Sequence, residues 1–294
     1  MEPRLSNFTT FRLGGPCREL VSVAEAAAAA DVVRTWNAAG RRWRVMGGGS
    51  NLLVADAGIP EDVLRIAADV PDCGWADDGT LVASAASPLD AVAEFAAANG
   101  RSGLGFAAGI PGTVGGGICG NAGAFGRQLG DVLDRVEVLT RGGERRTLPR
   151  SALAFAYRAS SLPAMGVVVV RAWFRVAAGD RAPLLAERDE ILALRRAKHP
   201  DWRTEPTAGS FFKNLSPAKP GAPRRAAGEV LDRAGAKDMR AGGAYVFAKH
   251  ANIVIAGPGA TARDVATLAG RMATAVRERF GFELEPEVRF WGAV

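Results

Sequence analysis

Hydrophobic and polar positions along the chain alternate between two periods, and the changes of period mark out elements. Ser22 and Glu25 read as a capping box ahead of an alanine-rich helix running to Ala39, with Gly40 as its stop. RRWRVM then reads as a short strand, and GGGSNLLVAD as a glycine turn leading into another. A second helix is expected from Ser87, with Pro88 at its first position, through AVAEFAAAN to Gly100. Period-two runs at LRIAA, LVASAA, RVEVLT and VVVVRAWFRV predict strands, and RGGE predicts a hairpin turn between RVEVLT and RRTL.

Farther along, a charged helix from Pro183 to Lys198 separates an expected N-terminal region from a C-terminal one. LSPAKPGAPRR, rich in proline, glycine and arginine, reads as a loop. The last helix opens on a Thr261/Asp264 capping box and places Val265, Leu268, Met272, Val276 and Phe280 on one apolar, core-facing stripe. FELEPEVRF, from Phe282 to Phe290, reads as an edge strand with Glu283, Glu285 and Glu287 on one face. No internal repeat is evident. At 294 residues the chain suits two lobes or one large α/β body.

Composition narrows the function classes. No run of apolar residues is long enough to span a bilayer, and MEPRLSNFTTFRLGG carries no basic and apolar leader, so a cytoplasmic, unexported protein is expected. Cys17, Cys73 and Cys119 are odd in number and far apart, which predicts reduced and mostly buried thiols and no metal site. The net charge of +6 is spread over scattered arginines with no basic stripe interleaved with aromatics, which argues against nucleic acid. All five lysines fall between Lys198 and Lys249, a hint of a local anion site.

Two glycine-rich stretches are candidates for chemistry. Gly47, Gly48 and Gly49 precede Ser50 and Asn51 and can bring backbone N–H groups to a phosphate, although a plain turn would use the same residues. GLGFAAGIPGTVGGGICGNAGAFG, Gly103 to Gly126, is too long for a hairpin and suits backbone packed against a flat or diphosphate-bearing ligand. No GxxxxGK[ST] occurs, and GLGFAA has neither the preceding strand nor the following helix of a dinucleotide fingerprint. With only His199 and His250, and Ser210 in GSF rather than a nucleophile elbow, a serine triad is unsupported, and the two histidines read as structural.

Seven motifs in register resemble one family: TTFRLGG at 9–15, GGGSNLLVAD at 47–56, AGIPGTVGGGICGNAGAFG at 108–126, FAYRASSL at 155–162, GSFFKN at 209–214, HANIVI with GATARDV within 250–265, and LEPEVRF at 284–290. The chain is similar to the UDP-N-acetylmuramate dehydrogenases, also called UDP-N-acetylenolpyruvoylglucosamine reductases, of bacterial cell-wall synthesis. The resemblance implies a vanillyl-alcohol-oxidase (PCMH-type) FAD-binding fold over residues 1–182, in lobes of about 1–70 and 71–182. A C-terminal α+β substrate-binding domain over 183–294 would follow.

It also implies the chemistry. NADPH reduces FAD, hydride passes from flavin N5 to C3 of the enolpyruvyl group of the UDP-sugar, and a proton goes to C2. Ser210 matches the proton donor, while Arg158 and Glu287 match the other catalytic positions. Lys198, Lys213 and Asn214 correspond to substrate contacts. Gly47, Gly48, Gly49, Ser50 and Asn51, with Gly109, Ile110, Pro111, Gly112, Gly116, Asn121 and Gly123, correspond to the FAD cradle. Non-covalent flavin is expected, since both histidines lie outside the N-terminal lobes; Cys119 lies inside the second glycine run. A monomer without membrane, nucleic-acid or metal partners completes the expectation, the alternatives being a flavin oxidase of the same superfamily acting on a different substrate and a non-enzymatic, basic nucleotide-binding or regulatory module. Phe125, Leu215 and Ala256 depart from the family pattern, and the short spacing from GNAGAFG to FAYR resembles its compact subtype.

Overall fold

A computed structural model describes residues 3–217, 219 and 222–294. Ala218, Pro220 and Gly221 of the expected 215–225 loop, and Met1 and Glu2 of the N-terminal stretch, lie outside the described residues. Eight α-helices are described: α1 (Ala26–Ala38), α2 (Leu89–Ala98), α3 (Val114–Cys119), α4 (Leu129–Val132), α5 (Leu162–Met165), α6 (Arg181–Lys198), α7 (Ala227–Arg233) and α8 (Ala262–Phe280).

The chain divides into two compact units, and neither is continuous in sequence. The first comprises residues 1–18, 49–60 and 196–294; the second comprises 19–48 and 61–195. The division at Arg195/Arg196 lies thirteen residues beyond the boundary expected at 182/183, and the N-terminal segments 1–18 and 49–60 group with the C-terminal region. Strand pairing supplies the reason: Leu52–Val54 runs parallel to Arg289–Trp291, with Leu53 opposite Phe290.

The second unit holds a three-stranded parallel sheet, in the order Leu20–Val23, Asp62–Ile66, Trp43–Met46. It also holds a five-stranded antiparallel sheet, in the order Arg145–Pro149, Leu133–Leu139, Val168–Phe174, Leu81–Ser84, Cys73–Trp75. The expected RGGE hairpin is present, pairing Leu139 with Arg145. Leu64, Leu81, Leu89, Leu104, Ile118 and Phe174 form its core, completed by Val33 and Trp36 of α1.

Ser22 does not cap α1. It lies within a strand, opposite Arg65, and the position before the helix is Glu25, which makes no side-chain cap bond. Ser87 likewise does not cap α2; its hydroxyl donates to the carbonyl of Asp72, and the helix starts at Leu89. In both places a tertiary partner takes the hydroxyl or the backbone that the local pattern assigned to a cap.

In the first unit a three-stranded antiparallel sheet, Arg240–Ala241, Ala244–Val246 and Val254–Ala256, packs with α8. Val265, Leu268, Met272 and Val276 of α8 are buried, as expected, with Phe11, Leu53 and Phe211 in the same cluster. The Thr261/Asp264 capping box forms, and Asp56 accepts from the N–H groups of Ala262 and Arg263, so the start of α8 is satisfied from two directions. The expected edge strand across 282–290 is mostly irregular; regular pairing covers only Arg289–Trp291, with an isolated bridge from Pro286 to Phe212. Pro286 has no N–H to continue a ladder. Cys17 is buried, whereas Cys73 and Cys119 are only half-buried.

Candidate functional site

Within the first unit, Ser210 is delivered by a turn that only glycine suits. Thr207 donates its hydroxyl to the carbonyl of Val254 at 2.7 Å and accepts from the N–H of Gly209. Gly209 has φ +74°, left-handed backbone. The chain then reverts to extended backbone at Ser210, which bridges to Ile253, and the side chain is half-buried. Phe211 and Phe212 follow into the core, so Ser210 stands at the rim of a rigid hydrophobic anchor.

Glu287 reaches the same place from the far end of the chain. Its N–H donates to the carbonyl of Phe211 at 2.8 Å, one residue from Ser210. Its carbonyl accepts from Nδ2 of Asn51 at 3.0 Å, and Arg289 N–H returns a bond to the Asn51 carbonyl. Asn51, expected in the FAD cradle, therefore commits its side-chain amide to holding the Glu287 backbone. Glu287 is half-buried, while Glu283 and Glu285 are exposed.

The expected substrate contacts divide. Lys213 is half-buried and pairs its ammonium with Glu285, and its N–H bonds the Glu285 carbonyl at 2.9 Å. Asn214 accepts from the N–H of Ala227 at 3.1 Å, serving the start of α7. Lys198 is exposed at the end of α6, and its charge, with that of Lys237, adds to burial in pushing the His250 imidazole below its ordinary pKa. The His199 and His250 rings lie 5.5 Å apart, and His250 Nδ1 accepts from Asn252 N–H, in keeping with structural histidines.

Within the second unit the two glycine stretches meet. A Cβ on Gly47 would run into Thr113 Oγ1, and one on Gly48 would lie 3.0 Å from Gly112 Cα. Gly109 and Gly112 are both left-handed, and Thr113 caps α3 by accepting from Gly116 N–H. Asp90 of α2 accepts from Gly109 N–H at 2.7 Å and pairs with Arg188, whose second partner is Glu94 at 2.9 Å. Burial pushes the Asp90 carboxyl up, but bonds from Arg188 and Gly109 outweigh it and hold the pKa below the usual range. Arg188 is nearly buried and Arg195 packs against Gly109, so a diphosphate here meets no unbalanced negative charge from Asp90. Two glycine backbones in contact, with cations behind one of them, fit a flat diphosphate cofactor.

Other expected cradle residues are more structural. Asn121 is fully buried with φ +47°; its amide donates to the Ala156 carbonyl and its oxygen accepts from Gly130 N–H. Gly123 lets a hairpin close, since a Cβ there would strike Arg127. Ile110 is half-buried and Pro111 exposed, and Ser50 lies beside left-handed Gly49.

Arg158 occupies the turn between Phe155–Ala156 and Ala159–Ser160. Its φ of +56° is unusual for a side-chain-bearing residue, and strain of this kind collects at functional positions. Its guanidinium lies 5.2 Å from the Tyr157 ring centre, and its charge is felt by Arg195. Ser210 and Glu287 are thus brought together in one unit, which also holds Gly49, Ser50 and Asn51, while Arg158, Gly47, Gly48 and the second glycine stretch belong to the other. Sequence reasoning missed Asp90, Arg188 and Asn252, whose partners lie far away in the chain.

Two family models match this chain. A family model described as UDP-N-acetylenolpyruvoylglucosamine reductase, C-terminal domain, matches residues 200–291, and one described as FAD binding domain matches residues 18–149. Over 98% of its length the chain is 38% identical to a UDP-N-acetylenolpyruvoylglucosamine reductase of Heliobacterium modesticaldum, covering 89% of that protein. It is 40% identical over 97% of its length to one from Anaeromyxobacter sp. (strain K), covering 83% of it. The crystal structure of a UDP-N-acetylenolpyruvylglucosamine reductase from Thermus caldophilus superposes with a TM-score of 0.80 at 32% identity, covering 99% of this chain and 98% of that one.

Proposed function

Because the chain belongs to the UDP-N-acetylenolpyruvoylglucosamine reductase family of FAD-dependent oxidoreductases, we propose that it reduces UDP-N-acetylglucosamine enolpyruvate to UDP-N-acetylmuramate with NADPH, for peptidoglycan synthesis. Residues 18–149 carry the FAD-binding domain of vanillyl-alcohol-oxidase type, and residues 200–291 the family's α+β C-terminal domain. FAD, held without a covalent bond, supplies the two-electron relay between NADPH and the enol ether.

Its holders are assigned to backbone along Gly47–Gly49 and Gly109–Gly112, with Ser50 and Gly116 beside them. The close approach of Gly48 to Gly112 supports this, since side chains on either would fill the space. The oriented N–H groups of such loops complement a diphosphate.

Reduction of the enol ether adds hydride at C3, which leaves negative charge on C2 and on the adjoining carboxylate. Arg158 is assigned that carboxylate, for which a guanidinium offers two parallel N–H donors. Stabilising the charge as it develops lowers the barrier more than binding the ground state does. Ser210 is assigned the proton for C2. A hydroxyl is a weak acid, but a carbanion-like carbon is a strong base, so placement within hydrogen-bond reach matters more than acidity. Glu287 is assigned to orient that end of the substrate. Lys198, Lys213 and Asn214 are assigned to contact the substrate.

The single observation carrying the residue roles is that Ser210 and Glu287, 77 residues apart, flank one backbone carbonyl, that of Phe211. Ser210→Ala should reduce FAD with NADPH at the wild-type rate but slow its reoxidation by the enolpyruvyl nucleotide by at least about a hundredfold, the scale of a lost general acid. Anaerobic stopped-flow measurement of the two half-reactions checks this. Equal loss in both, or in neither, would remove Ser210 from the role.

A further inference from the structure

Asn252 is 2% exposed and was not among the residues expected to serve the site. It lies in the loop between Ala244–Val246 and Val254–Ala256, where His250 N–H bonds the Phe247 carbonyl, Ile253 N–H bonds the His250 carbonyl, and Asn252 N–H bonds His250 Nδ1. The loop is therefore rigid before it meets anything else.

From it Asn252 makes three bonds to two consecutive residues. Its main-chain carbonyl accepts from Phe211 N–H at 2.7 Å, its Oδ1 accepts from Phe212 N–H at 2.9 Å, and its Nδ2 donates to the Phe212 carbonyl at 2.8 Å. The side-chain amide thus imitates a strand partner and continues the pairing begun by the Ser210–Ile253 bridge. On the opposite side the same segment holds the site's carboxylate strand: Glu287 N–H bonds Phe211 and Lys213 N–H bonds Glu285. Phe211 and Phe212 are buried, so without the amide the Phe212 N–H and C=O are left unpaired and away from water.

We propose that Asn252 is a positioning residue for proton delivery: its side-chain amide fixes the register of the Phe211–Phe212 segment, and with it the placement of Ser210 relative to Glu287. The inference rests on the reading that Ser210 gives the proton, and it extends that reading to a residue that touches neither substrate nor cofactor.

Asn252→Asp tests it. A protonated carboxyl repeats both bonds, donating to the Phe212 carbonyl and accepting from its N–H, whereas an ionised one sets a negative charge against that carbonyl. Burial favours the protonated form, so the switch falls within an accessible pH range. The charged and titratable groups on the elements that meet this loop and segment are His250, His199, Lys198 and Lys237, then Glu229, Asp232 and Arg233 of α7, which approaches Asn252 at Gly228, and Lys213, Glu285 and Glu287 across the segment. Rates are therefore taken as ratios to the wild type at each pH, which cancels their own titration.

Expected is a reoxidation ratio, with the enolpyruvyl nucleotide, that climbs about tenfold or more from pH 9 to pH 6, while the NADPH half-reaction stays at the wild-type rate throughout. A flat ratio near one, or a parallel fall in both half-reactions, overturns the inference. Should Asn252→Asp not fold, Asn252→Ser, which brings no charge, is expected to slow reoxidation alone, and equal slowing of both halves overturns the inference again. Ser210→Ala runs beside them. If it reoxidises normally, the proton-donor reading falls and the inference with it; if it is slow while both Asn252 variants are normal, only the inference falls.

Discussion

At the scale of single residues, backbone conformation separates two glycines that composition treats alike. Gly209 has φ +74° with nothing within 4 Å of an added Cβ, so Gly209→Ala meets strain alone, about 1 kcal/mol. Gly49, at φ +66°, is buried and a Cβ there would run into the Phe8 carbonyl, so Gly49→Ala should cost upwards of about 2 kcal/mol. Denaturant melts of the two variants give the comparison, and equal midpoints would contradict it. In the sequence Gly49 stands out as a cradle glycine and Gly209 only as part of GSFFKN; the difference between them is not legible, because the partner of Gly49 is 41 residues away. The same holds for Asn51, Asn121 and Asn214. Their motif positions pointed to the site, yet each spends its amide on backbone that the motif does not contain.

At the scale of elements, local signals were reliable where the element's own residues complete its bonds. The start of α8 was readable because Thr261 and Asp264 serve each other. The starts of α1 and α2 were misread because Ser22 belongs to a strand and Ser87 serves Asp72. The brace on the second glycine loop was invisible, since Asp90 and Arg188 stand 98 positions apart.

That brace has a pH signature. The folded Asp90 carboxyl lies below its unfolded value of about 3.9. Its contribution is therefore complete above pH 5 and is lost only as the pH falls through the depressed folded value. Asp90→Asn removes it at neutral pH and leaves nearly buried Arg188 with Glu94 alone. A cost of about 2 kcal/mol is expected, below that of a fully buried pair because Asp90 is partly exposed. Melts at pH 7 and pH 3 should show a gap between variant and wild type at the first that narrows at the second.

At the scale of the whole molecule, the chain crosses between its two units at residues 18/19, 48/49, 60/61 and 195/196. An expected single boundary near 183 could not have revealed this, because strand partners are not written in local periodicity. The C-terminal region borrows Phe11 and Leu53 for its core, and Arg289–Trp291 pairs with Leu52–Val54. Residues 196–294 made alone should therefore show little helix or cooperative melting by circular dichroism. A folded fragment with native-like melting would overturn that expectation.

The pairing of Leu52–Val54 with Arg289–Trp291 also bears on how the protein is born. On a ribosome, the early strand emerges long before its mate, and pairings between such distant segments form late. Until Glu287 has been made, Asn51 lacks the carbonyl it holds, and until Trp291 follows the strand pair is incomplete. Nascent chains stalled short of that point should present the early strand's edge to chaperones or to one another, and gain reductase turnover only on completion.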